Sequence, residues 1–163
     1  EQPVVTAVTH DISEAKVTVT GVPDRPKVAA RLFRALADRM VNVDTIVQNT
    51  SIHGTTDISF TVPKVDLATS MEIVRDLAPA IGAGEVLADD GIAKVSLVGA
   101  GMRSHPGVSA TMFETLGEAG INIEMISTSS IRVSCVVRAD RVEEAVRILH
   151  DAFELSGQPR PAT

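Results

Sequence analysis

The chain contains its own sequence twice. Ala15-Lys16-Val17-Thr18-Val19-Thr20-Gly21 returns as Ala93-Lys94-Val95-Ser96-Leu97-Val98-Gly99, 78 positions on. Pro26-Lys27-Val28-Ala29-Ala30 returns as Pro106-Gly107-Val108-Ser109-Ala110, and Asn42-Val43-Asp44 as Asn122-Ile123-Glu124, both 80 positions on. The offset grows because the loop from glycine to proline is two residues longer in the second copy. A repeat of this period divides the 163 residues into two similar modules. Modules so small leave much apolar surface uncovered, so they are expected to pack on each other and on a second chain. Variation confined to a strand-to-helix loop points to a small-molecule sensor rather than a catalyst.

The first copy reads as βαββαβ, and the second follows the same order as far as its second helix. Residues 16–20 alternate and are β-branched, which predicts a strand. Gly21 to Pro26 is a turn cluster. Val28, Ala29, Leu32, Phe33 and Leu36 then share one helical face, with Pro26 at the helix start. Strands are expected at 42–48 and 57–62, joined by a turn at 49–54. Leu67, Met71, Val74 and Leu77 space a second helix, with Asp66 as its candidate cap. A strand at 85–88 and the turn Asp89-Asp90-Gly91 complete the module. The second copy gives a strand at 93–98, a helix at 107–119, strands at 122–128 and 131–137, and a helix at 140–153. Its helices turn Val108, Met112, Phe113 and Leu116, then Val142, Ala145, Val146 and Leu149, inward.

The second copy lacks a last strand, and an unassigned strand-like piece, Pro3 to Thr9, precedes the first. The N-terminal strand is therefore expected to complete the second sheet. The expected organisation is residues 16–92 as one module, 1–15 plus 93–155 as the other, and 156–163 as a flexible tail. The fold class is α+β, with two ferredoxin-like units of antiparallel sheet and helices on one face.

Composition excludes several functions. The formal charge is −6, and Lys and Arg are scattered without a basic run, which argues against nucleic acid and anionic membranes. Four Phe, with no Trp or Tyr, provide no stacking platform for bases. The single cysteine, Cys135, allows neither an internal disulfide nor a CxxC metal site, and its apolar strand context reads as a buried packing thiol. With no signal peptide and no long apolar span, the expectation is a cytoplasmic protein.

The segment 21–30 is the best ligand candidate. A helix start offers free N–H groups that suit a carboxylate, and Asp24 could accept from an ammonium. Asp24 as a simple helix cap is the competing reading. Asn42 and Asn122 open equivalent strands and are either amide ligands or turn residues. Gln48 faces either a cleft or solvent. The loop Gly99-Ala100-Gly101-Met102-Arg103-Ser104 has Ser104 where GxGxxG needs its third glycine, and the βαββαβ order is wrong for a parallel nucleotide fold. The histidines lack metal-ligand spacing, and no nucleophile–base pair is legible. No catalytic site, metal or cofactor is expected.

Several segments carry a family likeness. They are Ser13 to Val19, Phe33 to Ala37, Val47-Gln48-Asn49, Thr55 to Thr61, Lys94 to Met102, Ser104 to Val108 and Asn122 to Ser129. They resemble the regulatory region of bacterial aspartate kinases over residues 4–155. The resemblance implies a pair of ACT domains that bind feedback amino acids, usually threonine and lysine. It implies a homodimer through these domains and, in some members, a separate small subunit that pairs with a full-length catalytic chain. By match, a threonine-type site would involve Asp24, Pro26, Lys27, Ala29 and Gln48, completed by Asn122 and Ile123 of a partner chain. A lysine-type site would involve Ser51, Met102, Val108, Ser109 and Ser129. Two positions depart from the family: Lys27 stands where glycine is usual, and Ser130 where glutamate is usual. Lys27 puts bulk and charge at the N–H cradle, so the first copy is expected to bind threonine more weakly or differently. The alternative is a stand-alone ACT-type sensor or a dimerisation module with a degenerate site.

Overall fold

The computed structural model describes residues 4–155. The expected tail at 156–163 lies outside the described residues. The described residues form two compact units, one from residues 13–90 and the other from 4–12 with 91–155. The first unit is thus inserted into the sequence of the second.

The first unit contains β2 (Glu14–Pro23), α1 (Val28–Asp38), β3 (Ile46–Gln48), β4 (Thr55–Pro63), α2 (Leu67–Ile81) and β5 (Val86–Asp89). Its antiparallel sheet has the order β3-β4-β2-β5. Val17 and Val19 of β2 and Ile58, Phe60 and Val62 of β4 alternate toward the helices. They meet Leu32 and Leu36 of α1 and Met71, Val74 and Ile81 of α2. Burying each large side chain contributes about 1.5–3 kcal/mol, which selects this register over one shifted by a residue. Phe33 packs edge-on against Phe60 with ring centroids 5.4 Å apart.

The second unit contains β1 (Val5–Asp11), β6 (Ile92–Gly99), α3 (Gly107–Glu118), β7 (Met125–Thr128), β8 (Arg132–Arg138) and α4 (Val142–Ala152). Its sheet has the order β1-β6-β8-β7, all antiparallel. β1 therefore occupies the edge that β5 occupies in the first sheet. Gly99 makes this pairing possible. A Cβ there would lie 1.8 Å from the Val4 carbonyl oxygen.

The repeat extends into the ladders. Thr18 meets Ser59 through their hydroxyls at 2.9 Å, and Ser96 meets Ser134 at 2.7 Å. Lys16 is paired with Asp89 in register, and Lys94 with Asp11. At the centre of the second sheet Cys135 replaces the first sheet's Phe60, and its Sγ lies 3.9 Å from Met112 Sδ.

Element ends differ from the sequence reading. β3 starts at Ile46 rather than 42, and β7 at Met125 rather than 122, so Asn42 and Asn122 lie in the helix-to-strand loops. Asp66 stands at the cap position of α2 but makes no side-chain cap bond. Its carbonyl instead accepts from Ser70 Oγ at 2.7 Å. All four helices end the same way. Val41, Ala83, Ile121 and Leu155 donate back to the carbonyls of Leu36, Ala78, Leu116 and His150. The residue before each donor is left-handed: Met40, Gly82, Gly120 and Glu154. Among the described residues no helix is long and apolar enough to cross a membrane.

Candidate functional site

The first candidate segment joins β2 to α1. The cap of α1 is Lys27, not Asp24, and no side chain caps the helix. Lys27 holds φ 74 and ψ −8, left-handed backbone that costs a non-glycine residue about 1 kcal/mol. Pro26 directly precedes the Lys27 cap, next to the first turn of α1. The loop is fixed by Asp24 N–H to the Gly54 carbonyl at 2.9 Å and Arg25 N–H to the Pro23 carbonyl at 3.0 Å. The side chains of Asp24, Pro26 and Lys27 are exposed, and Ala29 is half-buried. The first turn of α1 holds no acidic residue, so its N–H groups keep their partial positive charge.

The second copy builds a different mouth. Gly99 N–H donates to the Ile131 carbonyl at 3.0 Å, and Met102 N–H to the Ser130 carbonyl at 3.1 Å. These bonds tie the longer loop to the β7–β8 turn. A 3-10 turn at Met102–Ser104 then carries Met102 inward, where it is 6% exposed. The result is a cavity of about 180 Å³ lined by Met102, Ser109, Thr128, Ser129 and Val133. Three of the five lysine-type residues therefore meet in one place. Val108 is half-buried beside Ser109 at the start of α3. Ser51 is half-buried in the β3–β4 loop of the other unit. Ser129 Oγ already accepts from the N–H groups of Arg132 at 3.1 Å and Ile131 at 3.3 Å. Its hydroxyl holds the turn, so Ser109 and Thr128 are the freer hydroxyls of the cavity.

The two candidate sites occupy equivalent places. Ser109 is 80 residues beyond Ala29, and Thr128 is 80 beyond Gln48. Thr128 and Val133 were not singled out in the sequence, although the repeat offset from Gln48 points to Thr128. Gln48 is exposed on edge strand β3, opposite Ile58 in register. Asn122 is exposed and Ile123 half-buried in the loop before β7.

Other features have structural roles. Gly99 serves the close approach of β1, and His105 Nδ1 lies 3.0 Å from the Gly101 carbonyl within the same loop. Burial pushes the Cys135 thiol from 9.0 to about 12. Arg141 donates to the Ala119 carbonyl at 2.9 Å and to Glu144 at 3.0 Å, which ties the end of α3 to the start of α4. Among the described residues no group of three His, Cys, Asp or Glu could hold a metal ion.

Comparison with known proteins places this arrangement. The ACT domain family model matches residues 16–76 and 95–153. Aspartokinase of Corynebacterium glutamicum is 51% identical over 160 residues, which is 97% of this chain but 38% of that protein. A crystal structure of aspartokinase alpha and beta subunits matches at 49% identity and TM-score 0.87, over 92% of this chain and 99% of the other. The ligand-free regulatory subunit of aspartate kinase from Thermus thermophilus matches at 39% identity and TM-score 0.88, with the same coverage of each. The chain thus spans under two fifths of the length of its curated relatives, and nearly the whole of a regulatory subunit. It belongs to the ACT-domain family as the regulatory part of an aspartokinase.

Proposed function

We propose that this chain senses end-product amino acids of the aspartate pathway and inhibits an aspartate kinase when they accumulate. The effectors are lysine at the cavity of Met102, Ser109 and Ser129, with Val108 beside it at the start of α3, and threonine at the Asp24, Pro26, Lys27, Ala29 and Gln48 segment. Asn122 and Ile123 of a second copy complete the threonine site. The chain works as a homodimer in the cytoplasm and acts on a full-length catalytic chain that uses ATP to phosphorylate aspartate. The cavity beside α3 is the observation that carries this reading. It sets hydroxyls of Ser109 and Thr128 beside the N-terminus of a helix whose first turn holds no acidic residue. An amino acid's carboxylate suits those N–H groups, and an aliphatic stem suits Met102 and Val133.

Calorimetry and thermal melting with a panel of amino acids test the proposal. Lysine or threonine at about 100 times its dissociation constant adds about 2.7 kcal/mol of stability. No heat and no shift with any amino acid would refute effector binding.

A further inference from the structure

We infer that Arg138 and Arg141 are positioning residues of the threonine site: they hold the loop between α3 and β7 so that Asn122 is aimed at a threonine bound to a second copy. The inference rests on the threonine reading above and adds to it the residues that act through Asn122. The loop runs between two buried anchors, Ile121 and Met125, and leaves Asn122 exposed between them. Each end of it is gripped by an arginine from one short run, Arg138-Ala139-Asp140-Arg141, which joins β8 to α4. Arg138 grips the far end. Its Nε donates to Glu124 Oε2 at 2.9 Å and its Nη2 to Oε1 at 3.1 Å, and the Glu124 side chain is only 17% exposed. Arg141 grips the near end. Besides tying α3 to α4 through Ala119 and Glu144, it donates from Nη1 to the Gly120 carbonyl at 3.4 Å. A guanidinium fork fixes direction as well as distance, and charge-assisted bonds are about twice as strong as neutral ones.

The first copy makes the same loop without either grip. Lys64 N–H donates to the Ser13 carbonyl as Ala139 N–H donates to the Gly91 carbonyl, so Lys64 and Ala139 are equivalent. Pro63 and Asp66 therefore stand at the places of Arg138 and Arg141. Proline brings no charge, and an ionised aspartate cannot donate to a carbonyl. The backbone of the first loop still closes as the second does. Val41 N–H meets the Leu36 carbonyl as Ile121 meets Leu116, and Asp44 N–H meets the Thr61 carbonyl as Glu124 meets Val136. The fold thus forms this loop from backbone bonds alone. The arginine grips are added in the copy whose loop supplies a ligand contact, where an exposed amide must be held closely to bond a small molecule.

Calorimetry of the 163-residue chain with threonine and with lysine tests the inference. Arg138→Met and Arg141→Met each weaken threonine binding about tenfold and leave lysine binding within about twofold. In an Asn122→Ala background, Arg138→Met costs at most about threefold more, because its effect passes through Asn122. Circular dichroism identifies any variant that misfolds. Arg138→Lys or Arg141→Lys, which keeps the charge and loses the fork, then replaces it and weakens threonine binding about threefold. Unchanged threonine affinity, parallel losses for threonine and lysine, or an undiminished loss in the Asn122→Ala background overturns the inference and leaves the threonine reading standing. A parent chain that binds no threonine overturns both.

Discussion

The two copies solve the same helix in different ways. α3 starts at Gly107 and ends on left-handed Gly120. α1 is preceded by Lys27 and followed by Met40, both left-handed and both carrying a Cβ. Gly107 is helical and needs no special freedom, whereas Lys27, its counterpart by sequence, adopts the geometry that favours glycine. Each left-handed residue costs about 1 kcal/mol, so the neighbouring packing of Val28, Leu32 and Leu36 must hold α1 in place. The first copy thus stores strain in its β2–α1 loop, where the second copy's matching loop has only glycine in the left-handed region.

The comparison can be broken most severely at Gly99. Its counterpart Gly21 has room, since a Cβ there would meet Gly84 N only at 3.6 Å. Gly99→Ala should cost about 3 kcal/mol through lost β1 pairing, and Gly21→Ala about 1–2 kcal/mol through backbone strain alone. Denaturant unfolding of both variants ranks them, and equal losses would contradict the close β1 approach.

The next contrast is chemical. The folded-state pKa of Cys135 lies above its ordinary value, so the neutral thiol is the stabilising form. Its contribution is intact below pH 9.0 and is lost as the pH rises toward about 12. The second unit should soften through that window while the first, with Phe60 at the equivalent place, does not respond through this group. Unit-resolved hydrogen exchange, together with the reaction of Cys135 with a disulfide reagent in native and denatured protein, measures this. A thiol that reacts equally fast in both states would remove the contrast.

A smaller effect separates the sites. Ser109→Ala makes the second copy resemble the first at this position and should weaken lysine binding about tenfold, or about 1.4 kcal/mol. Calorimetry that finds lysine affinity unchanged would remove Ser109 from the site. Smallest are the backbone repairs. Met40→Gly and Lys27→Gly should each stabilise the chain by about 0.5–1 kcal/mol, and Gly120→Ala should destabilise it by about 1 kcal/mol. Lys27→Gly should also tighten threonine binding. A thermal midpoint that falls in both glycine variants would show that Lys27 and Met40 are not strained.

The sheets and helices were legible because Val17, Val19, Leu32, Leu36 and their counterparts keep the strand and helix periods. The N-terminal strand was legible by subtraction, from the strand that the second copy lacks. The left-handed residues were not legible at Lys27 and Met40, because tertiary packing overrides the residue's own preference there. The bounds of β3 and β7 were misread because apolar Val43 and Ile123 continue the strand pattern into loops. At the site, the resemblance named Met102, Ser109 and Ser129, which the fold assembles. It missed Thr128 and Val133, which line the cavity only once the tighter β7–β8 turn brings them under Met102.

The insertion of one unit into the other also sets an order of events as the chain is made. The unit at 13–90 is contiguous and can close from neighbouring segments. The other cannot finish its sheet until β6 exists, because Val5 pairs with Gly99 and Asp11 with Lys94. β1 therefore waits, unpaired and β-branched, through the synthesis of an entire intervening unit. Long-range closure of this kind slows folding and leaves an edge open to wrong partners. Agents that delay elongation between residues 12 and 92 should lower the yield of the second unit far more than that of the first.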